Sequence, residues 1–191
     1  MRVIGLISGT SADGIDAAVC EIDGAPPSLR ARIVAGNTYP YPAELRARVL
    51  ASYEPVRSRV DELSRLNFEV GECFAQAVAA IAAQAGLDLG DIDLIASHGQ
   101  TVWHDVQPDG SVHSDIQLGE GAVIAERTGI TTINNLRNRD ISVGGQGAPL
   151  AGYVDWLLLR DRSKAARYRI SVVLPMSRFC RHCPMRHSRQ S

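Results

Sequence analysis

The chain has 191 residues, of which 45% are hydrophobic and 17 are glycine, so it can bury a core and is not a disordered chain. Its apolar runs, such as Trp156 to Leu159, fall far short of the roughly 20 residues that span a bilayer, and the short apolar stretch after Met1 and Arg2 is too brief for a secretion leader. A cytoplasmic protein with no membrane partner is expected. The net charge of -1 is an average: residues 1–159 carry 11 Lys+Arg against 20 Asp+Glu, and residues 160–191 carry 9 against 1.

Val3 to Ile7 reads as a buried strand, followed by turn chemistry from Ser8 to Gly14 and a second strand over Ile15 to Ile22. The Asp13-Gly14 step predicts a hairpin. A third strand within Ala31 to Tyr39 completes a meander. Pro40 and Pro42 end it, and Pro42 suits the first turn of a helix over Ala43 to Ser52. Apolar residues then recur at helical spacing from Val56 to Ala85 (Val60, Leu63, Leu66, Val70, Phe74, Val78, Ile81), with Gly86 as the stop.

Leu94 to Ser97 is a further buried strand. Thr101 to His104 and His113 to Leu118 pair across the Gln107-Pro108-Asp109-Gly110 turn. Ala122 to Thr128 reads as helix, Ile130 to Ile133 as strand, and a last helix begins near Pro149. A meander followed by alternating helices and strands predicts an α/β domain with a mixed sheet. Cys20 and Cys73 stand singly among apolar neighbours and read as buried reduced thiols.

Three stretches carry chemistry. In the first, Ser8, Gly9, Thr10, Ser11, Asp13, Gly14 and Asp16 form a small-residue hairpin turn. Such a turn can offer backbone N–H groups and hydroxyls to phosphate, with Asp13 or Asp16 beside a metal ion. An ordinary capped glycine turn explains the same spacing equally well, and no Gly-Lys-Ser/Thr follows as a Walker A loop requires.

The second stretch runs from Ser97 through His98, Gly99, Gln100 and Thr101 to Trp103 and His104. It lies at a strand's C-terminal end, where open α/β sheets collect ligands. Its hydroxyls, imidazoles, carboxamide and indole suit a sugar better than a purely structural role. The third places Asp140 directly after Arg137-Asn138-Arg139 and ahead of Gly144-Gly145-Gln146-Gly147-Ala148-Pro149-Leu150. Flanking cations would keep such a carboxylate ionised and able to accept a proton; a salt-bridged loop is the other reading, and spacing does not choose between them.

Together, from Val3 to about Arg169, these stretches resemble the anhydro-N-acetylmuramic acid kinases, a family of the actin and hexokinase superfamily. The resemblance implies a ribonuclease H-like lobe of an actin-like ATPase fold, with the second lobe missing. It implies that Ser8 through Asp16 line the phosphates of ATP with Mg2+, and that Ser97 through Thr101, with Gln117, face the sugar. It makes Asp140 the general base. The implied reaction opens the 1,6-anhydro bridge of 1,6-anhydro-N-acetylmuramic acid with water and phosphorylates O6, in cell-wall recycling in a bacterial cytoplasm. ATP and the amino sugar are the implied partners, without nucleic acid, and a homodimer is open for complete family members.

The resemblance divides the chain into a lobe at 1–169 and a non-family tail at 170–191, expected to be disordered. Family members continue with Asn-Ile-Gly-Gly-Ile-Ala-Asn where this chain reads Arg169-Ile170-Ser171-Val172-Val173. One set of synonymous codons for Ile170 to Cys183, read two bases on, spells Ile-Gly-Gly-Ile-Ala-Asn-Val-Thr-Phe-Leu-Pro-Pro-Leu, which points to a reading-frame shift near Arg169. A zinc module on Cys180 and Cys183 with His182 and His187 is the weaker account, since no second Cys pair follows. A lobe without its partner should also expose apolar surface and dissolve poorly.

Overall fold

The computed structural model describes residues 1–159; the tail from Ile170, with its frame-shift and zinc readings, lies outside the described residues. Strands β1 (Arg2–Ser8), β2 (Ile15–Asp23) and β3 (Arg30–Tyr39) form the expected antiparallel meander. Helix α1 (Ala43–Ala51) follows Pro42, and α2 (Val60–Gln84) is the long amphipathic helix. It begins at Val60 and not Val56, because Pro55 interrupts the pattern and Arg59 is extended at the N-cap; Val56 is 93% exposed.

A single 3-10 turn at Leu89–Asp91 leads into β4 (Leu94–Val106), which pairs with β5 (Val112–Leu118) as a hairpin. Helix α3 (Gly121–Thr128), strand β6 (Thr132–Ile133), α4 (Leu136–Ile141) and α5 (Ala151–Leu159) complete the described chain. Leu94–Ser97 and Thr101–His104, expected as two strands, are one. Gly99 bridges them at a φ of +81°, and a side chain there would drive a Cβ to 2.7 Å from the Leu118 carbonyl oxygen.

The strand order is β3-β2-β1-β4. The first part of β4 is bordered by β6 and its outer part by β5. Strands β1 and β6 run parallel to β4 while the meander and the β4–β5 hairpin are antiparallel. The sheet is therefore mixed. The parallel arrangement brings the C-terminal ends of β1, β4 and β6 to one edge of the sheet.

One face of the sheet packs under α1, α2 and α3. Period-two alternation sends Ile4, Leu6, Ile15, Ala17, Val19 and Ile95 inward, where they meet Val49, Leu66, Val70, Phe74, Val78, Ile81 and Ile124. Each such large side chain contributes about 1.5–3 kcal/mol on burial. The opposite face carries a cross-strand row of Gly36, Ala18, Gly5, Ala96 and Ile133 in register. Ile7 (42%), Ile33 (70%) and Ile133 (46%) are exposed. Cys20 and Cys73 are half-buried free thiols, and burial raises the pKa of both.

Candidate functional site

The turn between β1 and β2 is built from buried and exposed residues in alternation. Ser8, Ala12 and Gly14 are buried, whereas Gly9, Ser11, Asp13 and Asp16 are exposed and Thr10 is half-buried. The Ser8 hydroxyl donates to the Gly14 carbonyl at 2.6 Å and the Ala12 N–H to the Gly9 carbonyl at 3.0 Å, closing the turn on itself. Gly14 has no room for a side chain: a Cβ would sit 2.9 Å from the Tyr39 carbonyl oxygen. Arg46 of α1 donates to the carbonyls of Ala12 and Ser11. The backbone N–H groups of Thr10, Ser11 and Asp13 are left without a hydrogen bond among the described residues. A turn held from below whose N–H groups are left unbonded can receive an anion.

Gln100 reaches this turn from β4. Its side chain is fully buried and its carboxamide nitrogen lies 2.8 Å from the Gly9 carbonyl and 2.9 Å from the Tyr53 hydroxyl. The Tyr41 hydroxyl approaches its oxygen at 3.4 Å, and burial pushes both phenols up in pKa. Gln100 thus ties the second stretch to the first from within the core. Ser97 is buried with a hydroxyl that has no partner among the described residues, and Thr101 donates to the Gln117 side-chain oxygen at 2.9 Å.

The Gln117–Gly119 turn lies against Gly99, and Asn67 of α2 accepts from the Gly119 N–H at 2.9 Å. The two segments assigned to a sugar by sequence are therefore neighbours.

Helix α4, where a loop was expected, carries Asp140. At six residues it is too short to show an apolar period. Asn135 caps it in a left-handed conformation at φ +56°. The flanking arginines do not pair with Asp140. Its Oδ2 instead accepts from the Gly147 N–H at 2.8 Å, and its own carbonyl accepts from the Gly145 N–H at 2.9 Å. A Cβ on Gly145 would lie 2.2 Å from that carboxylate oxygen, so the glycine lets the loop fold onto the acid. Arg137 turns the other way, donating to His98 Nε2 at 2.8 Å and to the Gly147 carbonyl at 3.3 Å. Nε2 must then accept, which places the His98 proton on Nδ1, 3.2 Å from the Gly99 carbonyl. Burial lowers the His98 pKa, and the charge on Arg137 acts in the same direction.

One residue outside the sequence-derived site completes this side. Asp115 of β5 has a fully buried side chain; His104 Nδ1 lies 2.7 Å from its Oδ2, the Gln117 amide donates to its Oδ1, and Arg137 stands 3.9 Å away. A lone Asp in the alternating Val112–Leu118 strand gives no sequence signal of burial. Only the register His104 opposite Asp115 shows it.

The first, second and third stretches all converge on the edge formed by the ends of β1, β4 and β6. As to a divalent cation, no group of three ligating side chains exists among the described residues. Asp13 is an exposed carboxylate with no partner among them, while Asp16 accepts from Thr38 Oγ1 at 2.5 Å. One or two carboxylates beside phosphate oxygens and water is the donor set that Mg2+ uses.

Residues 1–174 match the family model described as anhydro-N-acetylmuramic acid kinase. A protein of that name from Gloeobacter violaceus is 48% identical over 158 residues, 83% of this chain and 42% of its own length. Another from Caldanaerobacter subterraneus is 43% identical over 163 residues, 83% of this chain and 41% of its own. A third from Synechococcus elongatus is 46% identical over 162 residues. The chain thus spans less than half the length of the curated relatives it matches. A Thermus thermophilus RuvC structure is a distant likeness at 13% identity and a TM-score of 0.33, over 83% of this chain and 78% of that one.

Proposed function

The chain belongs to the anhydro-N-acetylmuramic acid kinase family, and from that premise we propose that it is the phosphate- and sugar-binding lobe of a kinase. The reaction is ATP-dependent hydrolysis of the 1,6-anhydro bridge of 1,6-anhydro-N-acetylmuramic acid with phosphorylation of O6, a step of cell-wall recycling in the cytoplasm. The observation that carries this reading is the convergence of the Ser8–Asp16 turn, the His98–Gln117 neighbourhood and the Asp140 loop on one sheet edge.

In this reading the N–H groups of Thr10, Ser11 and Asp13 bind the phosphates of ATP, with exposed Gly9 allowing close approach, Gly14 letting the turn pack against Tyr39 and Gln100 fixing the turn from below. Asp13, with Asp16 beside it, would hold Mg2+, which supplies neutralisation of phosphate charge. Ser97, His98, Gly99, Thr101 and Gln117 orient the sugar. Asp140, with Oδ2 held by the Gly147 N–H, uses its other oxygen to take the proton from the attacking water. Proton transfer of this kind is worth about 10² to 10⁴ in rate. Asp140→Asn in a chain of the full length of its relatives should therefore lower ADP release by that factor while leaving nucleotide binding intact. Unchanged turnover would remove Asp140 from the role of base.

The 191-residue polypeptide on its own favours a second outcome, because it spans about 42% of its relatives. ATP bound to one lobe is left open to water, so weak binding without turnover is expected. A coupled ADP-release assay with the anhydro-sugar separates the two. Robust turnover by this polypeptide contradicts the fragment reading, and activity gained on restoring the frame near Arg169 supports the family reaction.

A further inference from the structure

Asp115 has no part in the chemistry described above, yet its environment is built to keep a carboxylate in one place. The β4–β5 register sets Thr101 opposite Gln117 and His104 opposite Asp115, with an irregularity between Thr101 and Trp103 that brings Thr101 and His104 to the same face. Asp115 and Gln117, two residues apart on β5, share that face. The Asp115 side chain is wholly inaccessible, and a buried carboxylate persists only when charge and hydrogen bonds surround it. Here His104, the Gln117 amide and the Arg137 guanidinium do so.

Arg137 is the hinge between this carboxylate and the loop of Asp140. From one guanidinium it faces Asp115, donates to His98 Nε2, and donates to the Gly147 carbonyl. The N–H of that same Gly147 is bound by Asp140 Oδ2. Both ends of the glycine residue are thus clamped by the one helix α4. Gly147 is buried, with a φ of +67°, and a side chain there would meet Ile141 at 2.9 Å. A flexible guanidinium loses side-chain entropy on being held in this way, and the buried Asp115 carboxylate 3.9 Å from Nε favours that placement of its charge.

We propose that Asp115 is a positioning residue of the sugar-side site: through Arg137 it fixes His98 with Nε2 as an acceptor and holds the Gly147 loop on which the Asp140 carboxylate is aligned. It acts on His98, Gln117 and Asp140 without touching substrate. The proposal rests on the reading of Asp140 and His98 as site residues, but its physical content is the coupling of four groups, which can be read without turnover.

The test uses nitrogen-15 NMR of histidine side chains and amide hydrogen exchange on the 191-residue chain. In the unsubstituted protein His98 should show a neutral ring protonated at Nδ1, and the Gly147 amide should be protected. Asp115→Asn should abolish the single His98 tautomer and speed Gly147 exchange by about tenfold or more, with the exchange of α2 core amides unchanged. Retention of both signals in a folded Asp115→Asn protein overturns the proposal.

Should Asp115→Asn fail to fold, Arg137→Lys takes its place, since it keeps the charge but loses the planar fork. Loss of the His98 tautomer with His104 unperturbed supports the proposal, and an unchanged His98 overturns it. Asp140→Asn is the control that separates the two readings. It should leave the His98 tautomer intact, so a failure of Asp140 as base in the complete enzyme would not be mistaken for a failure of the Asp115 relay.

Discussion

The turn after β1 and the loop after α4 meet at the same sheet edge but are held by opposite means. The turn rests on the hydrophobic core: buried Ala12 and Gly14 anchor it, and the wholly buried Gln100, with Tyr41 and Tyr53, grips the Gly9 carbonyl from below. The Asp140 loop rests mainly on polar groups, namely Arg137, His98, Asp115 and glycine N–H groups, with half-buried Ile141 against Gly147, and α4 contains no buried residue. Damage to the turn's support should therefore cost global stability. Damage to the loop's support should alter the site while most of the fold survives.

Gln100→Ala is the most severe way to break that contrast. It leaves a cavity and strips the Gly9 carbonyl and Tyr53 hydroxyl of a donor, so a loss of about 3 kcal/mol is expected in urea unfolding. A loss below about 1 kcal/mol would mean that the turn does not depend on the core. Gly145→Ala should come next. Its Cβ would collide with the Asp140 carboxylate, displacing that side chain and costing about 1–3 kcal/mol. Faster exchange of the Gly147 amide with normal exchange in β1 would place the damage in the loop, and equal loosening of both would erase the distinction.

Acidification is a gentler probe of the polar side. Burial holds the folded-state pKa of His98 below its ordinary value of about 6.5. As pH falls the unfolded chain takes up a proton before the folded one does. The stability linked to His98 is therefore complete above about pH 6.5 and declines from there down through the folded value. Urea midpoints between about pH 7.5 and 5.5 should fall less steeply in His98→Gln than in the parent. Equal slopes would show that the ring is not held neutral by its surroundings. Gly5→Ala should have the smallest effect. A Cβ there meets nothing within 4 Å, so a gain of about 0.5–1 kcal/mol from a stiffer unfolded chain is expected in this polypeptide. A loss instead would mean that something covers the small-residue face of the sheet.

Much of the architecture was legible because it is periodic. The apolar run Val3–Ile7, the strand pattern of Ile15–Ile22, the Asp13-Gly14 turn and the long 3.6-residue repeat of α2 are local patterns, and each appears where expected. Helix α4 was not legible, since six residues with an Asn cap carry no apolar repeat and it forms only where Arg137 and the glycine loop hold it. The same limit applied to the site. Ser8, Gln100 and Asp140 stand out by motif, but that Gln100 supports the turn from inside the core was not visible in residue order. Nor was it visible that Arg137 serves His98 and not Asp140.

By itself the sequence determined the α/β meander, the family to which the chain belongs and the residue types available for phosphate, sugar and proton. Those properties reside in local period and contiguous motifs. Tertiary structure alone decided which groups are partners. It joined Gly9 to Gln100 across 91 positions, His98 to Arg137 across 39, and His104 to Asp115 across 11. Hydrogen bonds act over about 3 Å of space whatever the separation along the chain, so strand register and the close approach allowed at Gly99 and Gly147 settled what those residue types can do.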